Sequence, residues 1–224
     1  MTMSRLLPLT ALALGLAATL SAADGFTGFN AGVDLGYGRH EADWTDINYW
    51  WYGGTASHNT NGVLAGLHGG YDHQFGALVV GGILDWNYTS FDTTDGYSDS
   101  PTEIKLTNTM DWMATLRGRA GLAVDASLLY ITYGLAMASV EHEWDRVDNP
   151  ATNQDFKGSD EVMGTVFGVG VEHKLTERFS VRAELTEATF NDLSFHNENP
   201  GSDEFTFKVE NHVTAFKIAG SYWF

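Results

Sequence analysis

The sequence predicts an all-β chain, folded as an eight-stranded antiparallel up-and-down transmembrane β-barrel. Three observations predict it. Apolar and polar residues alternate with period two in eight segments, as strand side chains do. The connections between these segments alternate between short and long. The last segment runs to the end of the chain, with Phe216, Ile218, Gly220, Tyr222 and Phe224 on one face and Lys217, Ala219, Ser221 and Trp223 on the other. An unguarded aromatic edge templates aggregation, so this strand needs a partner, and closure onto the first strand supplies one.

Composition agrees. Of 224 residues 43% are hydrophobic, and Gly (25) far outnumbers Pro (4), which suits one domain of strands and turns. With Cys 0, neither a disulfide framework nor a thiol nucleophile is available. The formal net charge of -17 excludes nucleic acid as a partner, because phosphate neutralisation needs a basic surface.

Residues 1–23 read as a secretory signal. Arg5 gives a short basic start, residues 6–20 an apolar stretch, and Ser21-Ala22-Ala23 a small-x-small cleavage pattern. The apolar stretch is shorter than the ~20 residues of a spanning helix. Residues 24–224 are then the exported barrel domain, and any membrane span within them is made of strands.

The first strand sets Phe29, Ala31, Val33, Leu35 and Tyr37 against Asn30, Gly32, Asp34, Gly36 and Gly38. The second sets Ala65, Leu67, Gly69 and Tyr71 against Gly66, His68, Gly70 and Asp72. The third sets Val80, Gly82, Leu84, Trp86 and Tyr88 against Val79, Gly81, Ile83, Asp85 and Asn87. The fourth is long: Ile104, Leu106, Met110, Trp112, Ala114, Leu116, Ala120 and Leu122 oppose Lys105, Thr107, Thr109, Asp111, Thr115, Arg117 and Arg119.

The fifth turns Leu129, Ile131, Tyr133, Leu135 and Met137 away from Tyr130, Thr132, Gly134 and Ala136. In the sixth, Met163, Thr165, Phe167, Val169 and Val171 oppose Gly164, Gly168, Gly170 and Glu172. In the seventh, Phe179, Val181, Ala183 and Leu185 oppose Ser180, Arg182, Glu184 and Thr186. The eighth begins near Phe207 and ends the chain.

Short turns fall near residues 72–76, 124–126 and 174–178, and long polar loops near 41–61, 89–103, 141–160 and 191–206. Short turns at one end and long loops at the other are the layout of an outer-membrane barrel, with both termini on the periplasmic side. A soluble lipocalin-like barrel shares the alternation but points its apolar face inward. Here one face collects Gly, Ala, Ser, Thr and charges, while the other carries aromatics near strand ends, as lipid-facing girdles do. Hydrocarbon offers backbone groups no hydrogen-bond partner, so the sheet must close.

Asp111-Trp112-Met113-Ala114-Thr115-Leu116-Arg117-Gly118-Arg119-Ala120-Gly121 resembles the D-W-x-x-T-x-R-G-R-x-G stretch of the opacity-like, porin-family immunogenic proteins of Gram-negative outer membranes. Tyr130-Ile131-Thr132-Tyr133-Gly134-Leu135-Ala136 resembles that family's P-Y-V-T-G-G-L-A strand, and residues 170–172 and 179–184 its sixth and seventh strands. The resemblance covers the whole mature chain. It implies a location in the outer membrane, a surface or structural role, and a barrel-assembly signal at Tyr222 and Phe224. The partners implied are outer-membrane lipids, lipopolysaccharide and the barrel assembly machinery. The third strand departs from the pattern, because many relatives carry an acid where Gly81 or Ile83 stands.

On this phase Asp85, Asp111, Arg117, Arg119, Glu172, Arg182, Glu184 and Lys217 face a lumen that side chains fill. Such charges must pair, which gives a structural salt-bridge core, with a gated path for small solutes or ions as the alternative. Tyr49-Trp50-Trp51-Tyr52 reads as an interfacial girdle, or else Trp50 and Trp51 form an adhesive patch for host or surface ligands.

No metal or cofactor is expected, because His58, His142, His196 and His212 show no ligand spacing. No catalysis is expected either. Ser194 and His196 fall in a loop marked by Pro200 and Gly201, with no third residue to orient the base.

Overall fold

The computed structural model describes residues 25–47, 55–99, 102–146, 156–197 and 205–224. The proposed signal and the aromatic run with Trp50 and Trp51 lie outside the described residues. The strands are β1 (Gly28–Asp46), β2 (Thr55–Phe75), β3 (Leu78–Asp99), β4 (Thr102–Val124), β5 (Ser127–Arg146), β6 (Phe156–Lys174), β7 (Phe179–Phe190), β8 (Leu193–Asn197) and β9 (Phe205–Trp223). Neighbours pair antiparallel, and β1 pairs with β9, which closes the barrel. Both β7 and β8 pair with β9, so together they make one stave, interrupted at Asn191 and Asp192, and the wall has eight.

The register runs from Asn30 through Gly70, Ile83, Arg117, Gly134, Val166, Ala188 and Val213, and returns to β1 at His40. That is a stagger of ten residues (40 minus 30). Tilted, staggered strands in an eight-stave wall leave an interior that side chains fill. At the short-turn end, Gly76 (φ 63) and Asp125 (φ 53) take the left-handed backbone that two-residue turns require.

Through the lower wall the expected faces hold. Phe29, Val33, Leu35, Leu67, Leu84, Leu116, Ile131, Val169, Leu185 and Ile218 are exposed, while Asp34, His68, Asp85, Arg117, Glu172 and Glu184 are buried. An outward charge at mid-bilayer would cost about 2–4 kcal/mol, which explains why the outer face carries none there.

Two expectations need correction. The strands run for 19–23 residues in all the long staves but the interrupted one. A membrane crossing takes only about 9–11. Most of the segments read as long polar loops are therefore strand, continuing past the apolar belt.

The reason is an inversion of polarity. Above Tyr37, Tyr88 and Met163 the inward residues turn mostly apolar: Phe91, Met110, Val140, Val162, Phe190 and Val213 are buried in one cluster, beside a buried His40–Asn211 pair bonded at 2.9 Å. Their outward neighbours, among them Ser90, Asp92, Glu161 and Thr189, face solvent. The lower wall is a barrel for lipid and the upper wall a barrel for water.

The second correction concerns β4. Its register against β5 slips between Met110 and Trp112, making Asp111 the extra residue of a β-bulge. Met110 and Met113 both point inward and are buried, and Asp111 is exposed on the outer wall. Asp111 therefore does not belong to the lumen, and Met110 does not face outward.

Above the belt the cylinder divides. Pairing of β2 with β3 starts at Leu64 and Thr89, and pairing of β6 with β7 starts at Gly164 and Phe190. The upper parts of β3, β4, β5 and β6 form one leaf, and β8, β9, β1 and β2 the other.

Candidate functional site

The site is the interior of the lower barrel. Alternation brings Asp85 (β3), Arg117 (β4), Thr132 (β5), Glu184 (β7) and Lys217 (β9) to one level. Arg117 Nη2 donates to Asp85 Oδ2 at 2.7 Å, and Nη1 donates to Glu184 Oε1 at 2.8 Å and Thr132 Oγ1 at 2.9 Å. Lys217 Nζ donates to Asp85 Oδ1 at 3.1 Å, with Glu184 Oε2 at 3.8 Å. Asp85 also accepts from Thr115 and Asn87, at 2.7 and 3.0 Å. A Cβ added to Gly168 would stand 3.1 Å from Arg117 Nη1 and 3.2 Å from Glu184 Oε1, so this glycine makes room for the fork.

Nearer the short-turn end, Arg119 Nη2 donates to Glu172 Oε2 at 2.6 Å and its guanidinium carbon lies 4.3 Å from the centre of the Tyr130 ring. Arg182 Nη2 donates to Asp34 Oδ1 at 2.9 Å. His68 Nδ1 bonds Asp34 Oδ2 and its Nε2 bonds Ser221 Oγ, both at 2.9 Å. Arg117, Arg119, Arg182 and Lys217 thus meet Asp34, Asp72, Asp85, Glu172 and Glu184, and none of the nine is more than 4% exposed. The loosest member is Asp72, whose Oδ2 stands 3.5 Å from Arg119 Nη1 and whose Oδ1 has no protein partner.

Apolar layers flank the charges. Phe26, Val79, Ala123, Leu128, Tyr130 and Trp223 close the short-turn end. The cluster around Leu64, Met113, Ala136 and Val166 closes the other. Trp223 joins floor to network: its Nε1 donates to Ser180 Oγ at 2.9 Å, and that hydroxyl donates to Glu172 Oε1 at 2.5 Å.

Of the eight residues expected in the lumen network, the structure brings seven together and sends Asp111 outside. Asp34, His68 and Asp72 join them. They sit on the polar faces of the first two strands, and that shared phase was the signal that could have added them to the set.

Ser221, His68 and Asp34 have the connectivity of a nucleophile, a base and its orienter. A reaction needs an approaching substrate, and all three are buried beneath Trp223 and Phe26. Ser194 and His196 lie on β8. Among the described residues, no group of His, Asp and Glu converges to hold a metal ion.

Tyr222 and Phe224 stand at the lower rim. Their rings lie 5.1 Å apart, Tyr222 is 5.2 Å from Phe179, and Phe224 is 79% exposed. Such a ring of aromatics marks a membrane–water interface.

The family model described as "Outer membrane protein beta-barrel domain" matches residues 9–210. The chain belongs to this family. The "22 kDa outer membrane protein" of Rhizobium leguminosarum bv. viciae is 28% identical over 155 residues, which span 67% of this chain and 65% of that one. This outer membrane barrel thus matches just under two thirds of its relative's length. The outer membrane protein OprG from Pseudomonas aeruginosa is 13% identical, with 88% of this chain and 96% of that chain covered and a TM-score of 0.50. The outer membrane protease OmpT from Escherichia coli is 8% identical, covering 91% and 99%, with a TM-score of 0.49. The likeness to OprG is of fold alone. The protein is an outer-membrane β-barrel of the bacterial outer membrane.

Proposed function

We propose that this outer membrane barrel is a non-conducting, non-catalytic structural protein, which supports envelope integrity and presents an acidic surface to the outside. The observation that carries this reading is the sealed lumen. Arg117 is bonded to Asp85 and Glu184 at once, Lys217 holds the same two carboxylates, and apolar layers lie on both sides. Ion passage would require breaking charge pairs held in a low-dielectric interior, each worth about 3–5 kcal/mol once one partner is lost. It would then require wetting an apolar plug.

In this reading residues 1–23 are the cleaved signal, Tyr222 and Phe224 address the assembly machinery, and the apolar belt meets lipid and lipopolysaccharide. A narrow pore is the competing function, and one measurement separates the two. Refolded protein in a planar bilayer should give no unitary conductance steps. Reproducible steps that disappear when Arg117 is replaced by a bulkier apolar side chain would establish the pore instead.

A further inference from the structure

Among the described residues, the upper part of the wall has free strand edges. β8 pairs with β9 and with no other strand among the described residues. β6 pairs with β7 only from Gly164 downward, so residues 156–163 are paired with β5 on one side and, among the described residues, with no strand on the other. The two edges flank one seam, joined at its foot by the Asn191 N–H donating to the Met163 carbonyl at 2.8 Å. The seam between β2 and β3 differs. There Thr60 Oγ1 donates to the Asp92 carbonyl at 3.0 Å and the Val63 N–H donates to Ser90 Oγ at 2.9 Å, stitching the edges together.

A free edge offers a row of backbone N–H and C=O groups, and an extended polypeptide is the partner whose chemistry matches that row. Charge narrows the choice. Asp160 and Glu161 lie on the β6 edge, with Lys157 the one basic residue of that stretch. Asp192, at the foot of β8, pairs with Lys208 of β9 at 2.9 Å, and the sequence that links β8 to β9 carries Glu198, Asp203 and Glu204. A second copy of a chain carrying -17 would bring like charge to like charge.

We propose that the β6–β8 seam is a strand-addition site for an extended, basic polypeptide segment of a partner, bound by backbone pairing and selected by the acidic flanks. This deepens the surface role proposed above. It uses the free edges and not the sealed lumen, so it stands or falls apart from the conductance result.

The probe is a capped eight-residue peptide of alternating lysine and valine, titrated against the full-length protein refolded in lipid nanodiscs. The expected result is saturable binding at least tenfold tighter than that of the same peptide methylated on alternate backbone nitrogens, and absent for the glutamate–valine version. Asp160→Lys with Glu161→Lys should weaken the lysine peptide at least tenfold and admit the glutamate one.

Gly158→Pro and Ser159→Pro form a second pair. Successive residues point their N–H groups to opposite sides, so one of the two removes a donor from the free edge and should lower affinity. If either variant fails to fold, the methylated peptide still decides the matter on the unaltered protein. Equal binding of the methylated peptide, no binding up to the peptide's solubility limit, or edge-dependent self-association of the protein in sedimentation would each overturn the proposal.

Discussion

Arg117 on β4 reaches across the lumen to Glu184 on β7, Nη1 to Oε1 at 2.8 Å and Nη2 to Oε2 at 3.1 Å, while the same guanidinium holds Asp85. One cation therefore ties two walls together, three staves apart. Arg117→Ala would leave two carboxylates with only Lys217 to neutralise them. The expected loss is about 3–5 kcal/mol, read as an earlier midpoint in urea unfolding from detergent micelles and a lower temperature of heat-modifiable gel mobility. Arg117→Met combined with Asp85→Asn and Glu184→Gln removes charge from both sides, and should recover more than half of that loss. An Arg117→Ala protein as stable as its parent would mean that the network contributes nothing to the fold.

Asp111 supplies a contrast within the same strand. It is the bulged residue of β4 and lies on the outer wall, although simple alternation puts it beside Arg117. Asp111→Asn should therefore shift stability by no more than about 0.5 kcal/mol, as surface changes do. Asp85→Asn takes an acceptor from Arg117 and Lys217, and should cost several times more. Equal losses at the two positions in matched unfolding curves would put Asp111 back inside.

These two residues show how far alternation could be read. The phase of β1, β2, β3, β5, β6, β7 and β9 follows from period two, because one face must avoid charge in lipid. That rule places Asp85, Arg117, Glu172 and Lys217 inside without any coordinates. A bulge inserts one residue and flips everything beyond it, and nothing in Thr109-Met110-Asp111 announces the insertion. The adjacent apolar pair Trp112-Met113 is its one trace, since one of the two must face inward.

The upper strands were hidden for another reason. Their alternation persists, but with its sense reversed: Val140 points in beside Glu141, and Val162 points in beside Glu161. A search for outward apolar residues reads such stretches as polar loops. The leaves and their seams depend on which strands pair, which no single strand's pattern encodes.

The same inversion fixes where the membrane ends. Spin labels at Leu116 and Val169 should be relaxed by oxygen dissolved in lipid and shielded from a water-soluble nickel complex. Labels at Asp92 and Glu161 should show the reverse. The changeover should fall one or two residues above Tyr37, Tyr88 and Met163. Labels at Asp92 and Glu161 that behave as lipid-facing would remove the polarity boundary and lengthen the belt.

The floor of the barrel can be tested by separating shape from hydrogen bonding at Trp223. Its ring packs edge-on against Phe26 at 5.9 Å and lies 4.0 Å from Lys174 Nζ, while its indole N–H donates to Ser180. Trp223→Phe keeps an aromatic ring and removes the donor, so Ser180 Oγ still serves Glu172. The expected cost is about 0.5–1.5 kcal/mol. Trp223→Ala also empties the floor, at about 3–5 kcal/mol from lost burial and the cavity left behind. Hydrogen exchange should follow the same order, with protection at His68 and Ser221 falling little in the first variant and strongly in the second, as water enters beneath the charges. If both variants cost the same, packing contributes nothing beyond the Trp223–Ser180 bond, and the apolar layer is not what seals the short-turn end.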